Sequence, residues 1–199
     1  MKMRWFTTLV IAGLLGGLAA CGDDDESASE PSATSGSESA PPDSGFNVAD
    51  VDFAQGMIPH HEQAVEMAAI ALDAARQTSD DVVDLARRIN AGQDPEIELM
   101  ADWLSGWGQP LDMNEDDGHD MSSMDGMMTD EEMNELRAQN GESFDTLWLE
   151  MMMRHHEGAI AMAKTEQAEG SSPAALALAG QIISAQESEI VEITALLAS

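Results

Sequence analysis

The sequence predicts an all-α fold, an antiparallel four-helix bundle built from two repeated helical hairpins, on three observations. Apolar residues recur every three or four positions over four long segments rich in Ala, Leu, Met and Glu. No segment alternates with the period of two that a half-buried strand needs. A twelve-residue stretch, Met57–Ala68, recurs at Met152–Ala163 with seven identical positions, including both histidines of each copy.

The elements follow in chain order. Lys2 and Arg4 precede an apolar and small-residue run from Trp5 to Ala20, the pattern of a signal peptide over residues 1–20. The run ends in Leu18-Ala19-Ala20-Cys21, which looks like a bacterial lipobox, so Cys21 is expected to be the lipidated first residue of the mature chain. Residues 21–45 then form an acidic linker. Between Gly22 and Ser44 there are seven acids and no basic residue, a composition too poor in apolar surface to offset the entropy of ordering. A folded domain is expected over residues 46–199.

Within that domain the apolar period predicts helices over Val51–Arg76, Asp80–Trp107, Glu142–Glu169 and Pro173–Ala198. Ser79 before Asp80-Asp81 reads as an N-cap, and Ser172-Pro173 opens the last helix in the same way. Thr129 followed by Glu132 resembles a capping box at the head of a short helix ending near Ala138. Gly108 to Thr129 is a long, Met- and Asp-rich crossover between the hairpins. Pro59 either kinks the first helix or marks its start.

Composition removes several functions. With 38 acidic and 8 basic side chains and a formal charge of -30, the chain lacks the cations that nucleic-acid binding requires. Its single cysteine cannot build a thiolate zinc site, so soft-metal chemistry would fall to methionine and histidine. There is neither a nucleophile with an activating base nor a Gly-rich phosphate loop.

At about 100° per residue, His60 and His61 straddle the apolar stripe of Met57, Ala64 and Ala68, whereas Glu62, Glu66 and Asp73 point to water. His155 and His156 repeat the pattern around Met152, with Glu157 outward. Gln93 and Glu96, and their repeat equivalents Gln186 and Glu189, share the apolar stripes of the second and fourth helices. Polar groups directed into a core need partners. One explanation is a metal centre lined by His60, His61, His155, His156, Met57 and Met152, with Glu96 and Glu189 as ligands or as acceptors that fix the imidazole tautomers. Imidazole with thioether suits copper. The other explanation is a metal-free network of His, Glu and Gln. A second soft cluster, His119, Met121, Met124, Met127 and Met128, lies in the crossover, where it is either a copper(I) site or a solvated loop with some methionines packed back on the bundle. Met67, Met100, Met133, Met151, Met153 and Met162 read as packing.

The paired Met-x-x-His-His motifs, with Gln93-x-x-Glu96-Ile97-x-x-Met100-x-x-Trp103-Leu104 and Phe144-Asp145, resemble the bacterial family catalogued as domain of unknown function 305. The resemblance covers nearly all of residues 46–199. It implies a ferritin-like four-helix fold, a place outside the cytoplasm, and copper binding or copper tolerance, and it points to the same four histidines with Met57 and Met152. The last helix departs from the pattern, ending Ile193-Thr194-Ala195-Leu196-Leu197 where the repeat would place a methionine and an aromatic residue.

Three functions follow. The favoured one is a copper-buffering or copper-carrying lipoprotein anchored on the outer face of the cell membrane, a reading that assigns no catalytic residue. A ferritin-like di-metal carboxylate oxidase using iron or another divalent metal is the enzyme alternative, although no helix carries the Glu-x-x-His pair such sites use. A metal-free structural or interaction bundle is the third. Protein partners and oligomeric state are open.

Overall fold

In the computed structural model residues 45–111 and 125–199 are described. The expected signal peptide, Cys21 and most of the acidic linker lie outside the described residues, as do His119, Met121 and Met124 of the crossover.

Five α-helices make up the described chain: α1 (Val48–Ala71), α2 (Asp80–Trp107), α3 (Asp130–Ala138), α4 (Gly141–Glu169) and α5 (Pro173–Leu197). Among the described residues there is no strand. The all-helical expectation holds. Asn47 starts α1 through a capping box in which its side chain accepts from the Asp50 N–H and the Asp50 carboxylate accepts from the Asn47 N–H. The helix runs on through Pro59.

It stops at Ala71, short of the Arg76 that the apolar period suggests. The Asp73 carboxylate accepts from the Ala75 N–H and opens a 3-10 turn over Ala74–Arg76 instead, the local competition that makes Asp a poor helix-interior residue. Gln77 then turns the chain in the left-handed region, at φ 56°. Ser79 does occupy the N-cap of α2, but its side chain makes no capping bond. Its backbone N–H donates instead to the Asp145 carboxylate of α4, 3.1 Å away. Thr129 and Glu132 form the expected capping box on α3. Ser172 caps α5 on the Ala175 N–H, with Pro173 as the first helical residue.

The helices pair α1 with α2, α4 with α5, and α1 with α4. Their direction follows from two apolar clusters. One holds the second half of α1 (Ala64, Met67, Ala68, Ala71) against the first halves of α2 (Val82, Leu85, Ile89) and α4 (Phe144, Trp148, Met152) and the end of α5 (Ile193). The other holds the opposite halves: Phe53 and Met57, Met100 and Leu104, Ala159 and Ala163, Leu178 and Ile182. Neighbouring helices are therefore antiparallel. Met128 and the α3 residues Met133 and Leu136 cover the first cluster. Each large side chain buried there contributes roughly 1.5–3 kcal/mol, and the buried Trp148 indole also donates to the Met67 carbonyl at 2.9 Å.

Between the clusters lies a polar waist. His60, His61, Gln93, His155, His156 and Gln186 are all buried there. Among the described residues no helix is long and apolar enough to cross a membrane.

Candidate metal centre

The antiparallel pairing of α1 with α4 brings the two copies of the histidine motif together. The rings of His60 and His155 meet at a centroid distance of 3.8 Å, tilted by 43°. Each outer histidine is held by the partner helix of its own hairpin: His61 Nε2 lies 2.8 Å from Glu96 Oε2, and His156 Nε2 lies 2.7 Å from Glu189 Oε2. All four rings have no exposure to solvent, whereas the two carboxylates reach the surface with side chains 22% and 17% exposed.

This geometry assigns the tautomers. A carboxylate only accepts, so the Nε2 of His61 and of His156 carries a proton, which in a neutral ring puts the lone pair on Nδ1. His60 Nε2 likewise donates, to the Asp125 carbonyl at 3.3 Å. The Nδ1 atoms of all four histidines are buried without a hydrogen-bond partner, and so is His155 Nε2. Both amide atoms of Gln93 and the Gln186 carbonyl share that condition. Burial pushes the His60 imidazole down to about 3, with the nearby His61 adding to the effect and the Asp125 carbonyl opposing it. Burial also holds His155 well below its ordinary value, helped by the surrounding histidines and opposed by the His60 backbone carbonyl. The central pair is neutral, the form that offers lone pairs to a cation.

A short strap closes over this layer. Residues 125–128 leave the crossover and pass across α4 beside His60. The Gln63 carboxamide grips the Met128 backbone at both ends, accepting from its N–H at 2.7 Å and donating to its carbonyl at 2.8 Å. Gly158 gives the strap its passage, since a Cβ there would stand 1.9 Å from the Asp125 carbonyl oxygen. Gly126, at φ 86°, adopts a backbone that only glycine takes freely, packed against Arg154 and Gly158. Gln63 and Gly158 occupy equivalent positions of the repeat, and both are spent on seating this segment.

The structure thus places His60, His61, His155 and His156 in one layer, with Glu96 and Glu189 bonded to the outer pair. Met57 and Met152 are fully buried one helical turn before the central histidines, each in a different apolar cluster. Met128 packs into the bundle, where the Arg154 guanidinium meets its thioether, and Met127 is half-buried. Met67, Met100, Met133 and Met151 are core residues, as expected. Among the described residues no three His, Cys, Asp or Glu side chains converge as a ready cation site. Gln63, Asp125 and Gly158 seat this strap, a role that the sequence does not announce. A Gly breaking an otherwise close repeat was the one available signal.

Comparison with known proteins places this architecture. The model of the domain of unknown function DUF305 matches residues 50–197. The chain belongs to the DUF305 family. A candidate secreted DUF305 protein of Streptomyces coelicolor is 35% identical, with a TM-score of 0.70 over 75% of this chain and 92% of that one. A DUF305 fragment of Deinococcus radiodurans is 31% identical, with a TM-score of 0.66 over 76% and 96%. CopM in its Cu(I)-bound form is 26% identical, with a TM-score of 0.61 over 74% and 94%. CopM has also been solved with Cu(II) and with silver. No curated protein matches the chain.

Proposed function

We propose that this DUF305 protein is an extracytoplasmic lipoprotein that binds copper as cargo, buffering or carrying it through its paired Met-x-x-His-His motifs. The observation that carries the reading is the buried layer of imidazoles whose Nδ1 atoms have no hydrogen-bond partner. In a metal-free network the glutamates satisfy the outer Nε2 atoms and the Asp125 carbonyl takes His60 Nε2–H, leaving five ring nitrogens desolvated, a condition that costs on the order of 1–3 kcal/mol per group. A soft cation that accepts the ring lone pairs offsets the cost at each nitrogen that binds it. His60, His61, His155 and His156 are the nitrogen donors in this reading, Met57 and Met152 the flanking sulfurs, and Glu96 and Glu189 the acceptors that hold the outer rings in register. Imidazole and thioether select copper over the hard cations that prefer oxygen, and CopM offers a relative crystallised with that metal. The enzyme reading gains nothing further, because Glu62 and Glu157 face solvent beside the histidine pairs.

The location rests on the signal-like N-terminus, the lipobox at Cys21 and the secreted description of the Streptomyces relative. Replacing Cys21→Ser should move the chain from the membrane fraction to the soluble one. For the metal, the full chain purified without a histidine tag is dialysed against copper(I), copper(II), iron and zinc, and its metal content is measured. Copper retention that disappears in the His60, His61, His155 and His156 quadruple alanine variant, with helical circular dichroism preserved, is the expected result. Equal retention in that variant would refute the assignment.

A further inference from the structure

At the end of the bundle where α1 begins, two acids face each other out of water. Asp50 is 0% and Glu166 is 1% exposed. Asp50 is well served as an anion: it accepts from the Asn47 N–H at 2.6 Å, the Ser172 N–H at 2.8 Å, and the Ser171 N–H and hydroxyl at 3.1 Å each. Glu166 is not. Neither of its carboxyl oxygens receives a bond from any N–H or O–H of the protein. The site is shaped around it, since a Cβ at Gly170 would stand 2.2 Å from Glu166 Oε1.

A charged Glu166 would sit buried, without a donor, against a second charge. A neutral Glu166 supplies its own O–H, and the hydrogen-bonded neighbour able to take it is Asp50. We infer that one proton is held between Glu166 and Asp50, closing a latch that joins the first turn of α1 to the last turn of α4, and that its loss in mild alkali loosens that end of the bundle. The titration behaviour agrees with the geometry. Burial, together with the hydrogen bond and charge of Asp50, raises the Glu166 carboxyl to about 8. Burial pushes Asp50 up as well, but the N–H groups of Asn47 and Ser172, with Glu166 and Ser171, hold it below its ordinary value.

The surroundings offer little else that titrates. Residues 170–186, the α4–α5 turn and the first half of α5, contain no ionisable side chain. On α1 the nearby Asp52 is exposed, and so is Asp102 on α2. On α4 itself Glu169 and Lys164 are exposed, and Lys164 pairs with Glu187 of α5 at 3.9 Å. The latch belongs to a different region from the histidine layer, so it stands or falls apart from the copper reading.

The native chain holds this proton between the ordinary value of 4.5 and about 8, where the unfolded chain has released it. Its contribution is therefore full below 4.5 and declines as pH rises through that window. The test compares the full chain with its Glu166→Gln variant in urea unfolding from pH 5 to 9.5. The amide stays neutral and still donates to Asp50, so the ratio of unfolding constants, native sequence over variant, should rise about tenfold per pH unit and level off above about pH 8. A ratio independent of pH overturns the inference. A measurement on the unaltered chain guards against a variant that fails to fold: the infrared carbonyl band of a protonated carboxylic acid should be present at pH 7 and fade by pH 9.5. A chain with no such band at pH 7 would equally overturn it.

Discussion

Glu96 and Glu189 accept from the Nε2–H of a buried histidine, and that single bond decides which nitrogen of each outer ring would be free for the proposed copper. Exchanging either carboxylate for an amide keeps the shape but weakens both the tautomer preference and the basicity of the ring. Glu96→Gln and Glu189→Gln are each expected to lower copper affinity by about 10- to 100-fold, read by competition against a chromophoric chelator. Unchanged affinity in both variants would make these carboxylates mere space-filling. The inward direction of the histidines was legible in the sequence because helical spacing alone sets it. The role of Asp50 and Glu166 was not, although Glu166 lies on the same stripe as Ala159 and Ala163. Only the turn after α4, folded back onto the start of α1, reveals that the two acids meet.

Among the elements, the strap of residues 125–128 depends on two contacts that can be removed separately. Gly158→Ala puts a methyl group where the Asp125 carbonyl now sits, so the strap must lift, at an expected loss of about 1–3 kcal/mol in chemical denaturation. Gln63→Ala strips the Met128 backbone of both its partners. The Met128 amide should then lose its protection against hydrogen exchange while the amides of the α4 interior keep theirs. If that amide exchanges at its original rate, the strap is seated by something other than Gln63. Local signals predicted elements well: the Thr129 and Glu132 pair, for instance, needs no tertiary context to cap α3. The end of α1 was misjudged because the apolar period continues past Ala71, whereas the Asp73 turn that interrupts it leaves no trace in hydrophobicity. Gln63 was opaque for a different reason. Its partner is backbone 65 positions away, and backbone carries no sequence signature.

For the whole molecule, the polar waist divides what would otherwise be one apolar core into two. Natural sequences accept such a division where function requires it, and the cost should be recoverable. A His60→Leu, His155→Leu double variant fills the waist with side chains of similar volume. Metal-free, it should melt a few degrees above the unaltered chain, in line with about 2–4 °C per kcal/mol for a domain of this size, while losing copper. A lower melting temperature would mean that the histidines are structural partners in their own right. The bundle itself was readable from periodicity and repeat. Its waist was readable only as an oddity, because the sequence shows that polar residues point inward but not that their Nδ1 atoms go unpaired. The measurement that bears most directly on copper binding by this layer is copper-edge X-ray absorption on the copper(I)-loaded full chain and on the His60, His61, His155 and His156 quadruple alanine variant. Imidazole nitrogen together with thioether sulfur is expected around the copper of the unaltered chain, with loss of the imidazole signal in the variant. A copper surrounded by oxygen alone, or a spectrum the variant leaves unchanged, would contradict this expectation.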